Sequence, residues 1–206
     1  MPSIGPKTRE EFVSIVLGEH NVMSRTETNL TKTYRVEDLT IHPGFNRSTF
    51  ENDIALIELK QPVNFDSVKG IVPICLPHES LRTEASEGEI YGWQSFPWAP
   101  EMKDEPEKVF VNIMSRSECN ESLTSFNVVP SMICVKNFDV GTCKSDVGGA
   151  LIVIEKGRYF LYGIGQLSDC RNGGAPAIYT DIRAHLHWIL SKNKRSCKLS
   201  FEIFYR

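Results

Sequence analysis

The residues best suited to covalent chemistry in this sequence are its six cysteines. They stand well apart along the chain, at Cys75, Cys119, Cys134, Cys143, Cys170 and Cys197. None belongs to a Cys-x-x-Cys pair, which argues against a zinc site and against thioredoxin-like redox chemistry. An even set of separated cysteines favours disulfides formed in an oxidising compartment. We therefore expect an extracellular protein that uses no metal and no cofactor.

Three Asn-x-Ser/Thr sequons also favour secretion, because such sequons accept N-linked glycans in secreted proteins. They begin at Asn29, Asn46 and Asn120. The first residues, MPSIGPKTREE, contain neither an apolar h-region nor a small-residue cleavage site. The cysteines and sequons indicate secretion, but no signal peptide is visible. We therefore predict that the true N-terminus lies upstream of Met1, or that Met1 is a truncated start.

Composition excludes several other classes of protein. The chain has 206 residues with 23 Lys or Arg and 26 Asp or Glu, a net charge of −3. A nucleic-acid-binding domain usually carries a clear basic excess, which is missing here. No apolar run approaches the roughly 18 residues of a membrane-spanning helix. The composition therefore indicates a globular protein that binds neither nucleic acid nor membrane.

The elements that must position any site are mostly strands. Short apolar or alternating stretches separated by turn-forming clusters predict an all-β fold. One amphipathic helix is predicted near the C-terminus, with Ile182, Leu186, Ile189 and Leu190 on one face and Asp181 near its start. The predicted strands span 12–17, 34–41, 54–59, 109–114, 150–154, 159–164 and 177–182.

A proline-bounded stretch interrupts this series of strands about a third of the way along the chain. It consists of QPVNF at 61–65 and VPICLPHES at 72–80. It is typical of a connector between two β units. A single sandwich with one long loop fits the same pattern, and the pattern alone leaves both arrangements open.

Several motifs, in a fixed order, give this chain a resemblance to the trypsin-like (chymotrypsin-fold) serine proteases. They include LGEHNV at 17–22, TIHPGF at 40–45, NDIALIEL at 52–59, VPICLP at 72–77 and CKSDVGGAL at 143–151. The resemblance implies two antiparallel β-barrels with a cleft between them and a C-terminal helix. It implies a partial, N-terminally incomplete first barrel at 1–65, a linker at 66–86, a second barrel at 87–182, and a helix and tail at 183–206.

Catalysis in that family needs a serine nucleophile, a histidine that accepts its proton and a buried aspartate that orients the histidine. Asp53 stands at the family's aspartate position, although its segment also fits a role in strand packing alone. Val147 stands at the serine position, in SDVGGA where the family has GDSGGP. No AAHC-type histidine motif is present. We interpret the five histidines as structural or surface residues: His20, His42, His78, His185 and His187.

The resemblance also implies a damaged substrate cleft. Gly141 occupies the position that sets the charge of the specificity pocket. The pocket therefore has no carboxylate at this position to bind an Arg or Lys side chain of a substrate. Ser145 replaces a glycine of the oxyanion hole, where a side chain narrows the hole. In the family, the counterpart of Asp146 pairs with the new N-terminus that cleavage of an IVGG-type site creates. No such site is present in this sequence. The substrate-binding edge corresponds to Gln166-Leu167-Ser168.

The family pattern also implies disulfides between Cys119 and Cys134 and between Cys143 and Cys170. Cys75 matches a cysteine that ties many family members to an upstream segment. Cys197 has no assigned counterpart, so Cys75 is expected to pair either with Cys197 or with an upstream segment.

The leading hypothesis is therefore a catalytically inactive serine protease homologue that binds another extracellular protein, such as a protease, a zymogen or an inhibitor. An active trypsin-like endopeptidase is the enzymatic alternative. A truncated gene product without an autonomous role is the third.

Overall fold

A computed structural model describes residues 13–24, 31–66, 70–78, 85–93, 104–123, 126–136, 147–166 and 176–192. Within these ranges the chain forms a sheet, a closed barrel and two helices. The sheet contains β1 Ser14–Leu17, β2 Lys32–Ile41 and β3 Ala55–Leu59. The barrel contains β4 Glu87–Gly92, β5 Glu107–Met114, β6 Met132–Lys136, β7 Ala150–Glu155, β8 Arg158–Gly165 and β9 Ala177–Asp181. The helices are α1 Arg116–Ser122 and α2 Ile182–Lys192.

The barrel closes in the antiparallel order β4-β5-β6-β9-β8-β7. Alternate residues of a strand point to the same side, so each strand contributes inward side chains at every second position. Leu151 and Val153 of β7 follow this rule, as do Ala177 and Tyr179 of β9. The alternation builds one continuous apolar interior. This buried core comprises Ile90, Val111, Ile133, Val135, Leu151, Val153, Phe160, Tyr162, Ala177 and Tyr179.

Close strand contacts in this barrel depend on glycine at position 163. A Cβ atom built on Gly163 would lie 3.0 Å from the Cβ of Tyr179 and 3.4 Å from the Cβ of Leu151. These distances leave little space for a side chain, so a larger residue would have to displace β9 or β7.

The β1–β3 sheet is antiparallel and has the order β1-β2-β3. Its buried side chains are Tyr34 and Val36 of β2 together with Ile54, just before β3. Ile41 and Ile57 remain exposed. The all-β class with a C-terminal helix is confirmed, and the arrangement agrees with a two-barrel chymotrypsin-like fold whose first barrel is represented by three described strands.

Helix α1 is an element that strand periodicity did not predict. Ser115 caps it: the Ser115 hydroxyl accepts the Glu118 N–H, and the Glu118 carboxylate accepts the Ser115 N–H. This reciprocal capping box satisfies two backbone donors that a helix start leaves unpaired. The Ser-x-x-Glu spacing was the sequence signal for the start of this helix. Hydrophobic periodicity did not predict the helix because its sequence has no apolar stripe.

Helix α2 begins directly after β9, as the amphipathic pattern predicted. The Asp181 carboxylate accepts the Arg183 N–H at 2.9 Å and pairs with the Arg183 guanidinium at 2.7 Å. A carboxylate at a helix start is favourable because the first backbone N–H groups point towards it. Among the described residues, no helix is long and apolar enough to cross a membrane.

Candidate functional site

Val147 lies on an exposed turn before β7, with 64% of its surface accessible. The next residue, Gly148, has a φ of 85°, a left-handed conformation that favours glycine. The Gly148 N–H donates to the Gly165 carbonyl at 2.8 Å, and the Gly165 N–H donates to the Gly149 carbonyl at 2.8 Å. The turn is therefore fastened to the C-terminal end of β8.

Gln166 continues from that strand end towards the β1–β3 sheet. Its side-chain Nε2 donates to the Phe50 carbonyl at 3.1 Å and to the Thr180 hydroxyl at 2.8 Å. The Thr180 hydroxyl donates in turn to the Asp53 carbonyl at 2.8 Å. A chain of hydrogen bonds thus connects the turn of Val147 with the backbone of Asp53.

Asp53 is half-buried, and burial raises the pKa of its carboxyl above the ordinary value. Among the described residues, no histidine ring hydrogen-bonds to this carboxyl. The nearby amide oxygen of Gln166 is buried and also lacks a hydrogen-bond partner in the described part of the chain. Among the described residues, the Asp53 carboxyl therefore has no histidine base bonded to it. Val147 has an apolar side chain without a proton to transfer.

The histidines have separate places in the structure. His20 is exposed beside Glu105, with 3.8 Å between its Nε2 and the carboxylate, and the ring of His78 packs against Phe160. His187 is exposed on α2. His42 and His185 instead contact each other, at a ring-centroid distance of 5.3 Å.

One predicted disulfide lies within the described residues. Cys119 of α1 and Cys134 of β6 are bonded, with a Cα–Cα distance of 6.2 Å. This pairing is confirmed, and the distance falls in the usual range of about 4.4–6.8 Å. Cys75 forms no disulfide with a described residue, and its backbone pairs with β8 through Tyr159 and Leu161.

Several predicted site residues lie outside the described residues, and their predicted roles stay predictions. They are Asn29, Gly141, Cys143, Ser145, Asp146, Leu167, Ser168, Cys170 and Cys197. In the part of the chain that is described, no group of three or more His, Cys, Asp or Glu side chains is arranged to hold a metal ion.

Sequence reasoning missed the bridging role of Thr180 and of the Gln166 side chain. Thr180 is 0% exposed and Gln166 is 2% exposed. A polar residue inside the apolar strand AIYTD was the available signal for Thr180. Its partner Asp53 is 127 positions away in the sequence, so local periodicity carries no information on the contact.

Comparison with known proteins gives the family. The family described as Trypsin matches residues 7–189. Vitamin K-dependent protein C of Mus musculus is 29% identical over 193 residues, which cover 87% of this chain and 40% of that protein. Serine protease filzig of Drosophila melanogaster is 28% identical over 184 residues, which cover 85% of this chain and 11% of that protein. The chain thus spans less than half the length of either relative, and it belongs to the trypsin family of serine proteases.

Proposed function

We propose that this chain is a catalytically inactive trypsin-family homologue that acts by binding, as a cofactor or scaffold in an extracellular proteolytic cascade. The observation that carries the proposal is Val147, which the family motif aligns with the nucleophilic serine and which is exposed on its turn. A valine side chain has neither a lone pair for attack on a carbonyl carbon nor a proton for a base to remove. It can form no acyl-enzyme.

The surroundings of Asp53 support the same proposal. In the family mechanism the aspartate accepts a hydrogen bond from the catalytic histidine and stabilises the imidazolium that forms. Asp53 has no such partner among the described histidines. Burial without a compensating cation raises the pKa of its carboxyl, which is the opposite of what a neighbouring imidazolium would do.

A serine-directed fluorophosphonate probe tests inactivity directly. We expect no labelling of the purified protein, and none of Val147→Ser, because a hydroxyl without a base stays a weak nucleophile. Val147→Ala is the matched control for the change in side-chain size, and active trypsin is the positive control for the probe. Hydrolysis of peptide amides and esters is measured in parallel.

Labelling of the unchanged chain would establish the alternative, an active endopeptidase. Labelling of Val147→Ser alone would show that a histidine reaches the cleft and would contradict the predicted absence of a catalytic base.

The proposed partner is another extracellular protein, such as a protease, a zymogen or an inhibitor. Support comes from the relatives, of which one is named a serine protease and the other protein C. An extracellular location is supported by the Cys119–Cys134 disulfide, because disulfides persist in oxidising compartments.

The described sequons give this proposed location a specific test. Asn46 is exposed in the loop after β2. Asn120 is half-buried on α1, where its Oδ1 accepts the Val128 N–H at 2.8 Å. A bulky glycan fits an exposed loop and would disturb packing at Asn120.

We therefore expect glycosylation at Asn46 and not at Asn120 when the chain is routed through a eukaryotic secretory pathway. Mass spectrometry of tryptic peptides, with and without glycosidase, measures occupancy at each site. Asn46→Gln should remove the glycan from this loop, whereas Asn120→Gln is the matched control and should leave it in place. Full occupancy at Asn120 in folded protein would contradict the assignment.

A further inference from the structure

Two histidines and a tryptophan join α2 to the loop that leads to Asp53. The His42 ring lies 4.8 Å from the Trp188 ring and 5.3 Å from the His185 ring, in edge-to-face arrangements. We call these three residues the clasp. The Trp188 indole N–H is buried and has no hydrogen-bond partner among the described residues, so ring packing holds this side chain.

The hydrogen bonds of His42 require a neutral ring. Its Nδ1 accepts the Gly44 N–H at 3.1 Å, and only an unprotonated nitrogen can accept. The backbone N–H of His42 donates to the Ile54 carbonyl at 3.0 Å, which fixes the residue beside β3. Protonation would turn Nδ1 from an acceptor into a donor. It would then face the Gly44 N–H, which is also a donor.

The hydrogen bonds of His185 hold its ring between the start of α2 and the loop that contains Asn52. This ring is 3% exposed, and its Nδ1 lies 2.7 Å from the Asp181 carbonyl, which can only accept. Its Nε2 lies 3.1 Å from Asn52 Oδ1. The Asn52 Nδ2 donates to the Gly44 carbonyl at 3.0 Å, which fixes the orientation of the amide. Both ring nitrogens of His185 therefore have a partner, and the ring is held in place beside that of His42.

We propose that the clasp responds to pH. It holds α2 against the loop before Asp53 at neutral pH, and this contact weakens when His42 becomes protonated. The proposal is independent of whether the chain is catalytic. It rests on the contacts of the His42 ring, whose Nδ1 accepts the Gly44 N–H while the ring packs against Trp188 and His185. A proton on Nδ1 would oppose the Gly44 donor and place a positive charge in partly buried surroundings.

The other described charged groups near the clasp do not offset such a charge. The Asp181 carboxylate is engaged by the Arg183 guanidinium at 2.7 Å. Burial is the cause of the raised pKa of Asp53, with no contribution from His42. Glu51 is half-buried in the same loop, and His187 is exposed on α2.

The direction of the pH effect follows from two causes. Burial first, and then the charge of His185, lower the pKa of His42 below its ordinary value. A histidine with a lowered pKa in the folded state stabilises the fold fully above the unfolded value, about 6.5. That stabilisation is lost as pH falls through the lower pKa of the folded state.

The experiment uses the full chain labelled with 5-fluorotryptophan, which gives each of the 3 tryptophans its own ¹⁹F resonance. Single Trp93→Phe and Trp98→Phe variants assign the resonance of Trp188. Between pH 7.5 and 4.5 we expect one sigmoidal shift of this resonance, with a midpoint below about 6.5. Hydrogen exchange should show a parallel loss of protection, at least tenfold, for the amides of α2.

His42→Asn keeps an acceptor near the position of Nδ1 but cannot be protonated, so both changes should disappear. His187→Asn is the matched control on the same helix and should leave both unchanged. The proposal is overturned if α2 loses protection equally in His42→Asn, or if the Trp188 resonance is flat in the unchanged chain. Direct ¹H–¹³C titration of His42 in the unchanged chain avoids any folding defect of the variant, and a midpoint above about 6.5 also overturns it.

Discussion

At the scale of single residues, Glu89 shows how this barrel accommodates a charge on its outer face. Only 7% of Glu89 is exposed. Its carboxylate accepts the Tyr91 hydroxyl at 2.5 Å and pairs with the Lys108 ammonium at 3.5 Å. That ammonium also lies 4.7 Å from the centre of the Phe110 ring. A buried carboxylate needs such partners because desolvation disfavours its charge.

Tyr91 is the partner with the shortest contact to this carboxylate. Burial, the hydrogen bond to Glu89 and the charge of Glu89 raise the pKa of Tyr91 to about 12. The phenol therefore remains a donor throughout the physiological range. Its contribution to stability is complete below the ordinary tyrosine pKa of about 10 and is lost as pH rises through the folded value.

Tyr91→Phe should lower the free energy of unfolding by about 1–2 kcal/mol at pH 7, because Glu89 loses a donor and stays buried. Urea denaturation followed by circular dichroism measures the change. Tyr159→Phe, on the exposed face of β8, is the matched control and should change stability by less than about 0.5 kcal/mol. Equal effects of both substitutions would contradict a specific role of the Tyr91 hydroxyl.

At the scale of elements, strand prediction succeeded where apolar residues alternate or cluster between turns. The strands β1, β2, β3, β5, β7, β8 and β9 all overlap the predicted spans, and their ends differ by a few residues. β4 was missed because EGEIYG contains two glycines and only one aliphatic residue. β6 was missed because it is short and almost wholly buried, so it shows no alternation. Both strands take their conformation from barrel pairing on either side.

The site was predictable to a different degree. Motif order assigned Asp53 and Val147 to triad positions, and these assignments stay predictions. Local sequence did not show that Thr180 would bond to the Asp53 carbonyl or that Gln166 would reach Phe50, because each contact joins distant parts of the chain. The clasp was hidden for the same reason, since its two histidines belong to a loop and a helix that only the fold brings together.

At the scale of the whole molecule, a few polar contacts join the β1–β3 sheet to the barrel and α2. Gln166 and Thr180 reach the 50–53 segment from the barrel, and His185 reaches Asn52 from α2. Phe50 and Asn52 each adopt a φ of 55°, a conformation that is costly for residues other than glycine. These contacts hold the segment in that conformation.

Thr180 is central to this connection because its one hydroxyl both accepts from Gln166 and donates to Asp53. Thr180→Val keeps the shape of the side chain, but the Gln166 amide and the Asp53 carbonyl each lose one hydrogen-bond partner. We expect the free energy of unfolding to fall by about 1–3 kcal/mol. We also expect loss of hydrogen-exchange protection in β2 and β3 before loss in the barrel, since the substitution weakens the connection between them.

Thr40→Val is the matched control, because the Thr40 hydroxyl donates to the Asp38 carboxylate at the surface of β2. It should change stability by less than about 0.5 kcal/mol and leave the exchange pattern unchanged. Urea denaturation and hydrogen exchange of the two variants measure both effects. If Thr180→Val unfolds at the same urea concentration as the unchanged chain, the hydroxyl does not couple the sheet to the barrel. If its stability falls while both parts still exchange together, apolar packing rather than this polar bridge makes the molecule unfold as one unit.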